Sequence, residues 1–413
     1  MIAAVGLQGS LALSAELEGA ATLRSIRVLA LVEATALTGI GRGLLSFAAA
    51  QDGQLDAVSL ALLIVARRAT RDVPLARRAL HAGLPVFLLP ERRRFDPLTI
   101  RHLRGICTRW QPDVVQTHAV KSHALVRLSG LRREHTWIAF HHGYTYPDLK
   151  MRVYNAFDRF TLRHAHHVVA VAEAFRGELV RCGVEESRLS VLHNAAPTWS
   201  PENQWGAASL RARLQLAPDT RVVAAVGRLS FEKGHLDLIR AFARVRAQVP
   251  DLHLVIAGEG PEHARLRREI VGLRLEQQVT LLGALDDVSP VYQLADVVAL
   301  PSISEGSPNV LLEAMAAAVP VVATRAGGIP EIVTDLQTAL LVRPGDVEEL
   351  AQAVSRLLRC PSLAMQIAGA ARRLVLERHD SVRRAAALLS IYGRVLGSEA
   401  GGGVAYASRT CAF

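Results

Sequence analysis

Two cations stand close together directly after a predicted buried strand. Arg228 and Lys233 lie between the apolar run 221–226 and a helical pattern that begins at His235. Cations at the carboxyl end of a strand can hold a diphosphate, with the arginine binding as a planar fork and the lysine as a point charge. Two solvated loop charges would give the same pattern, so this segment alone indicates an anion site without establishing one.

Two carboxylates follow further along the chain. Glu305 lies in a loop after the predicted strand 297–300, and Glu313 lies on the first turns of a helix predicted to begin near Asn309. The free N–H groups of a helix start form a ready anion site, and a carboxylate just beyond them can accept hydrogen bonds from paired sugar hydroxyls. A lone glutamate there usually only compensates the helix dipole. Its combination with Arg228 and Lys233 favours a ligand site.

These residues belong to four blocks that resemble the C-terminal domain of the family 4 ("group 1") glycosyltransferases, which have the GT-B fold. The blocks are Gly227-Arg228 with Glu232-Lys233-Gly234, Ile256-Ala257-Gly258-Glu259-Gly260-Pro261, Glu305 with Glu313-Ala314-Met315-Ala316, and Gly327-Gly328-Ile329-Pro330-Glu331. They occur in the order and spacing of the family. The resemblance implies a retaining transferase that uses a nucleotide-sugar donor, such as a UDP- or GDP-sugar, and needs neither a metal nor another cofactor.

The resemblance also implies roles for individual residues. Arg228 and Lys233 would hold the donor diphosphate, and Glu305 would be a catalytic residue that contacts the hydroxyls of the transferred sugar. Glu313 would hold the ribose. The remaining implied contacts are made with phosphate by the backbone near Asn309, Val310 and Leu311, and with the base by loops that include Gly258, Gly260 and Leu285.

The first half of the chain resembles the family more weakly. Gly39 and Gly41 occupy the turn where the family has a glycine-rich loop near the donor phosphate. His142 aligns with the family's active-site histidine, so we expect it to hydrogen-bond the donor sugar or the reacting phosphate oxygen. His118 ends another strand and could equally be a site residue or a satisfied interior histidine. Glu331 is a candidate for lining the acceptor side.

The elements that must position these residues alternate between short apolar strands and longer helical segments. This alternation predicts an α/β protein of GT-B type, with two tandem doubly wound parallel-sheet domains that face a cleft. The predicted divisions are an extension at 1–22, an acceptor-binding domain at 23–200, a donor-binding domain at 201–380, a helix at 381–396 packing back toward the first domain, and a flexible tail at 397–413.

The charge of the 413-residue chain is unevenly distributed. Of the formal net charge of +10, nearly all belongs to residues 1–200, which contain 25 Lys and Arg against 16 Asp and Glu. A basic half attracts anions. Together with mixed cationic and apolar segments, such as the one containing Arg152 and Phe157, it predicts a contact with anionic lipid and a glycan or lipid-linked acceptor. A generic basic surface explains the charge equally well.

Composition limits where the protein can act. Apolar runs are too short for a membrane span, and no lysine or arginine precedes Arg24, which is not typical of a secretory signal. The four cysteines are scattered without the spacing of a zinc site or a disulfide framework. These features predict a cytoplasmic enzyme, either free or peripheral on the inner face of the plasma membrane, and no metal.

The sequence is also compatible with other functions. One alternative to glycan or lipopolysaccharide synthesis is a sucrose- or glycogen-synthase-like activity, and another is transfer involving sugar phosphates and soluble acceptors. The residues that would distinguish these activities lie in the first half of the chain, where the resemblance is weaker. A nucleic-acid-binding protein is suggested only by the pI of about 10.1, and the low aromatic content and lack of a binding motif argue against nucleic acid as a partner. An inactive scaffold would be expected to lack Arg228, Lys233 or Glu305.

Overall fold

The structure is a computed structural model, which describes residues 25–33, 39–50, 58–67, 73–91, 96–144, 149–197 and 205–399. The predicted N-terminal extension, residues 1–22, lies outside the described residues. So do residues 400–413 of the predicted tail.

The first half forms a seven-stranded parallel sheet in the order β3-β2-β1-β4-β5-β6-β7. Its strands are β1 Ile26–Val32, β2 Val58–Arg67, β3 Val86–Glu91, β4 Val114–Thr117, β5 Thr136–His141, β6 His167–Ala170 and β7 Leu189–Val191. The central strands β4, β5 and β6 are buried along their whole length, as expected of parallel strands covered on both faces.

The second half forms a six-stranded parallel sheet in the order β10-β9-β8-β11-β12-β13. Its strands are β8 Arg221–Val226, β9 Leu252–Ala257, β10 Val279–Gly283, β11 Val297–Leu300, β12 Val321–Thr324 and β13 Leu340–Val342. In both sheets the strand order reverses beside the first strand, so each has a switch point where its strand ends open a crevice. The predicted doubly wound α/β architecture is confirmed.

Helices cover both faces of each sheet. In the first half they are α1 Gly39–Ala50, α2 Pro74–His81, α3 Pro97–Trp110, α4 Val120–Ser129, α5 Leu149–Leu162 and α6 Arg176–Arg181. Those that follow are α7 Trp205–Arg213, α8 His235–Arg246, α9 His263–Gly272, α10 Ser289–Leu294, α11 Asn309–Ala316, α12 Ile329–Ile332, α13 Val347–Arg359, α14 Pro361–Arg378 and α15 Ser381–Glu399. Among the described residues, no helix is both long and apolar enough to cross a bilayer.

Two elements lie where the sequence pattern gave no signal. Strand β7 has only three residues and pairs with the edge of β6. Helix α7 lies within the segment 194–220, which reads in sequence as an irregular domain boundary, and it packs against α10 of the second domain. The irregular connection between the domains is therefore shorter than the sequence indicates.

The last helix returns to the first domain. Leu388, Ile391, Tyr392 and Val395 on α15 join the core cluster formed by strands β1 and β2 and helix α1. The Tyr392 ring meets the Phe47 ring edge-on, with centroids 6.3 Å apart. The chain therefore crosses between the domains twice, once after β7 and once at the junction of α14 and α15.

Candidate active site

An ion pair joins two strand ends at the opening of the second sheet. Lys233, on the short turn after β8, donates from Nζ to Glu305 Oε1 at 2.6 Å. The Ser302 hydroxyl donates to the same carboxylate oxygen at 2.7 Å. The lysine side chain is 27% exposed and that of Glu305 is 9% exposed. The lysine is therefore accessible from the cleft, while the carboxylate is held in one orientation.

A glycine after β12 holds the Glu305 loop in place. Gly327 has a φ of +52°, and a Cβ added there would lie 1.7 Å from the carbonyl oxygen of Glu305. The Gly328 amide donates to that carbonyl at 3.3 Å. Only glycine permits such a close approach of two backbones in this conformation. The Gly-Gly pair of the sequence motif thus fixes the backbone that carries the carboxylate.

Arg228 lies on the same turn as Lys233, and its side chain is exposed. Its turn is clamped by the loop after β9, because the Leu229 amide donates to the Glu259 carbonyl at 2.9 Å. Gly258 has a φ of +147°, and a Cβ there would lie 1.8 Å from the Gly227 carbonyl oxygen. Gly258 therefore lies against the cation-bearing turn, and Gly260 beside it likewise packs on the backbone of Leu229.

Glu313 has a partner for each of its carboxylate oxygens. The hydroxyl of Tyr292 donates to Oε2 at 2.7 Å, and Arg42 on α1 of the first domain contacts Oε1 at 3.2 Å. Burial and the neighbouring carboxylate raise the pKa of Tyr292 well above its usual value, so its hydroxyl remains a donor. The sequence did not single out Arg42 or Tyr292, because they lie far from Glu313 along the chain.

The start of α11 faces the first domain. A Cβ on Gly39 would lie 2.6 Å from the Asn309 Nδ2, so the two domains are in close contact there. The Leu311 amide already donates to the Pro308 carbonyl at 3.1 Å. The amides of Asn309 and Val310 are therefore the better candidates for meeting a phosphate.

Two predicted positions contribute to packing in the hydrophobic cores. Gly41 is buried within α1, and a Cβ there would lie 2.9 Å from Leu75 Cδ1. The Leu285 side chain packs against the core cluster of the second domain. The structure therefore gives both residues a packing role.

His142 and His118 lie together at the carboxyl ends of β5 and β4. The His118 Nδ1 and the His142 Nε2 are 3.2 Å apart. A Cβ on Gly306 would lie 2.8 Å from the His142 carbonyl oxygen, so His142 adjoins the Glu305 loop. Burial lowers the pKa of His142 to about 3 and that of His118 well below its usual value. Both rings are therefore neutral near pH 7.

Glu331 joins the domains at one side of the cleft. Its two oxygens accept hydrogen bonds from the backbone amides of Glu173 and Ala174, each at 2.7 Å. His193 approaches the same carboxylate at 3.5 Å. Glu331 thus holds the start of the α6 region in the first domain. Across the described ranges, no group of three or more His, Cys, Asp or Glu side chains is arranged to hold a metal ion.

Two family models match the chain. The model for "Glycosyl transferases group 1" matches residues 207–374, and that for "Glycosyltransferase Family 4" matches residues 37–199. The N-acetyl-alpha-D-glucosaminyl L-malate synthase of Bacillus anthracis is 34% identical over 40% of this chain and 43% of its own length. The alpha-maltose-1-phosphate synthase of Mycolicibacterium smegmatis is 30% identical over 58% of this chain. The match covers 65% of that synthase, so the chain spans less than two thirds of either relative.

Solved structures support the fold. The structure of Anabaena Alr3699/HepE in complex with UDP and glucose aligns with a TM-score of 0.75 at 22% identity, covering 89% of this chain and 99% of that one. WaaG, described as a glycosyltransferase involved in lipopolysaccharide biosynthesis, aligns with a TM-score of 0.68 at 15% identity, covering 89% and 99% of the two chains. With both halves matched by family models and the GT-B architecture present, the chain belongs to the family 4, or group 1, glycosyltransferases.

Proposed function

We propose that the protein is a retaining glycosyltransferase that moves a sugar from a nucleotide-diphosphate sugar to a glycan or lipid-linked acceptor. The observation that carries this proposal is the Lys233–Glu305 ion pair, which lies at the carboxyl end of the second sheet beside an exposed Arg228. A cation with free N–H groups and a fixed carboxylate suit a diphosphate and the hydroxyls of its attached sugar.

Each group has a task in this proposal. Lys233 and Arg228 bind the diphosphate, and the first amides of α11 add hydrogen bonds to it. Glu305, held by Ser302, accepts hydrogen bonds from hydroxyls of the transferred sugar. Glu313 is the ribose ligand, which requires that the ribose share or replace the contact with Arg42. In this proposal the side chains of Lys233 and Arg228 supply the positive charge that faces the diphosphate.

The transfer follows from where charge develops. The acceptor oxygen bonds to the anomeric carbon while the bond from that carbon to the phosphate oxygen breaks, and the acceptor proton moves to the leaving phosphate. The products are the glycosylated acceptor and a nucleoside diphosphate. Negative charge grows on the diphosphate during bond cleavage, and preorganised cations stabilise it by about 3 kcal/mol or more if they resemble other groups aimed at developing charge. Attack from the leaving-group face retains the anomeric configuration.

A surface on α5 supports a lipid-linked acceptor over the soluble acceptors of sucrose- or glycogen-synthase-like enzymes. Four apolar side chains form a stripe along this helix, which we call the apolar stripe: Leu149, Val153, Phe157 and Phe160, with exposed fractions of 76%, 65%, 41% and 49%. The exposed Arg152 and Arg163 flank it, and the Arg163 guanidinium lies 4.1 Å from the Phe160 ring centroid. Apolar groups flanked by cations suit an anionic lipid surface, where each cation contributes about 1 kcal/mol.

The donor is tested by thermal shift of the purified chain against UDP-, GDP-, ADP- and TDP-sugars. A ligand present at about a hundred times its dissociation constant adds about 2.7 kcal/mol to the free energy of unfolding. One nucleotide class should stabilise the wild type by this amount and Lys233→Met by about half of it or less. Proton NMR of the product should then show the anomeric configuration of the donor. Equal stabilisation of the wild type and Lys233→Met contradicts the assigned diphosphate site, and an inverted product contradicts retention.

The lipid surface is tested separately, by co-sedimentation with vesicles containing phosphatidylglycerol. The wild type should sediment with the vesicles at low salt. Val153→Glu and Phe160→Glu should each reduce the bound fraction by about tenfold, because the new carboxylate is costly to bury in the lipid interface and is repelled by the anionic headgroups. Leu376→Glu is the matched control, since Leu376 is 58% exposed on α14 of the other domain. If wild-type protein stays in solution, the membrane part of the proposal is wrong while the transferase part stands.

A further inference from the structure

A line of buried side chains connects the last helix with His142. The Tyr392 hydroxyl on α15 donates to Gln116 Oε1. The amide nitrogen of Gln116 lies 2.7 Å from His118 Nε2, and His118 Nδ1 lies 3.2 Å from His142 Nε2. Tyr392 is fully buried, Gln116 is 1% exposed and His118 is 6% exposed. Water therefore has little access to the line except at the His142 end.

With the Gln116 oxygen toward Tyr392 and its nitrogen toward His118, the donors and acceptors along this line permit one arrangement of protons. The NH₂ group of an amide can only donate, so His118 must accept at Nε2. A neutral imidazole carries one proton, which in His118 is then on Nδ1 and is donated to His142 Nε2. His142 therefore accepts at Nε2 and keeps its own proton on Nδ1. Tyr392 sets this direction by donating to the amide oxygen.

The charged surroundings keep both rings neutral. The titratable groups that act on them are His123 on α4, His141 on β5 and Arg384 on α15, together with each other. Each of these disfavours a further positive charge, and burial does so more strongly. Arg384 is itself fixed in place, because its Nε donates to the His193 carbonyl at 3.0 Å. A protonated His118 would carry a proton on Nε2, which could no longer accept the hydrogen bond from the Gln116 amide.

We propose that Gln116 and Tyr392 are positioning residues that hold His142 as the Nδ1–H tautomer, so that His142 acts as a neutral hydrogen-bond donor to the sugar or the reacting phosphate oxygen and not as a base. The inference about the tautomer rests on the line itself, and only the consequence for turnover rests on the proposed function. Because Tyr392 lies on α15, the tautomer also depends on the last helix being docked.

Gln116→Glu tests this proposal with almost no change of shape. The glutamate can still accept from Tyr392, but its other oxygen is an acceptor and demands a proton on His118 Nε2. His118 must then accept at Nδ1 or become an imidazolium, and His142 loses its assigned tautomer or its neutral partner. Gln116→Met removes the amide without adding a charge, and Gln248→Glu adds the same charge at an exposed position of the other domain.

The first readout is ¹⁵N NMR of the full-length, ligand-free protein labelled at histidine, with the His142 signals assigned by their loss in His142→Gln. We expect the proton on Nδ1 of His142 in the wild type and in Gln248→Glu. In Gln116→Glu we expect either a proton on Nε2 of His142 or a charged His118. A wild-type His142 protonated at Nε2 overturns the proposal, as does a Gln116→Glu spectrum in which both rings are unchanged.

The second readout is turnover of the nucleotide sugar that the thermal-shift screen identifies. Loss of one aimed hydrogen-bond donor lowers kcat by about 10²-fold, so Gln116→Glu should lose about this factor with a KM for the donor within about threefold of wild type. Tyr392→Phe should lose less, because the amide remains. An unchanged kcat in Gln116→Glu, with the His142 proton shown by NMR to have moved to Nε2, refutes the catalytic role of the tautomer. If no sugar nucleotide binds, the proposed function fails, whereas the NMR result still decides the tautomer.

Discussion

Replacing Lys233 by Met tests the assigned diphosphate site. The Nζ group of Lys233 has three N–H donors, and the contact at 2.6 Å with Glu305 uses one of them. The side chain is 27% exposed, so the remaining donors can reach a ligand in the cleft. Methionine keeps most of the aliphatic length and removes only the charged donors. The variant therefore separates binding of phosphate from packing of the loop.

The expected loss follows from the strength of one charged hydrogen bond. Such a bond contributes about 1.5–3 kcal/mol, and 1.4 kcal/mol corresponds to a tenfold change in Kd. We expect Lys233→Met to weaken nucleoside diphosphate binding by about 10- to 150-fold. Binding of the matching nucleoside, which has no phosphate, should stay within about threefold. Isothermal titration calorimetry with both ligands measures this difference.

Lys121→Met is the matched control for stability. Lys121 forms a similarly shielded pair with Glu91, at 2.5 Å, in the first domain. Both variants leave a carboxylate without its cation, and each should lower the free energy of unfolding by about 1–3 kcal/mol. Only Lys233→Met should bind the nucleoside diphosphate more weakly than the wild type. Equal affinities of wild type and Lys233→Met for the nucleoside diphosphate would refute the assignment of Lys233.

Three further outcomes follow from the geometry. In urea titrations, Gly327→Ala should lower the free energy of unfolding by about 3 kcal/mol or more, because a Cβ there overlaps the Glu305 carbonyl. Gly345→Ala is the control, since Gly345 has a φ of +77° but no atom close to an added Cβ. This variant should lower the free energy of unfolding by about 1 kcal/mol. Burial lowers the pKa of His141 to about 4, below the unfolded value, so its contribution is complete above about pH 6.5 and is lost as the pH falls toward 4. Urea unfolding at pH 7 and pH 5 should show about 2 kcal/mol less pH dependence in His141→Phe than in wild type, and an equal dependence in both proteins would contradict the lowered pKa. Glu331→Ala removes the acceptor for two backbone amides of the first domain and should increase the radius of gyration in small-angle X-ray scattering, whereas an unchanged radius would show that this contact does not hold the domains together.

The elements that depend on local residue patterns could be predicted from the sequence. Strands β8 and β11 have the predicted bounds, because continuous apolar runs between turn residues mark buried parallel strands. The start of α3 is also local, since Asp96 caps it by accepting from the Leu98 amide at 3.0 Å. The roles of the predicted donor-site residues remain predictions, although the structure brings Lys233 and Glu305 together as the motif requires.

The contacts that sequence reasoning missed join distant parts of the chain. Arg42 and Glu313 are 271 residues apart, and Gln116 and Tyr392 are 276 apart. No local period or spacing relates such residues, because only the docking of the domains and the return of α15 bring them together. Strand β7 was missed for a different reason, since three residues are too few to establish a pattern.

The return of α15 also sets the order in which the domains can be completed during synthesis. The core of the first domain includes Leu388, Tyr392 and Val395, which leave the ribosome after the whole second domain. At about 5–20 residues per second, synthesis from the end of the first sheet to α15 takes about 10–40 s, long enough for a typical domain to fold. The second domain, encoded later, can therefore be finished first, while the first waits for the closing helix. Any ribosomal product that stops before α15 would present the apolar surface of β1, β2 and α1 to the cell's quality control.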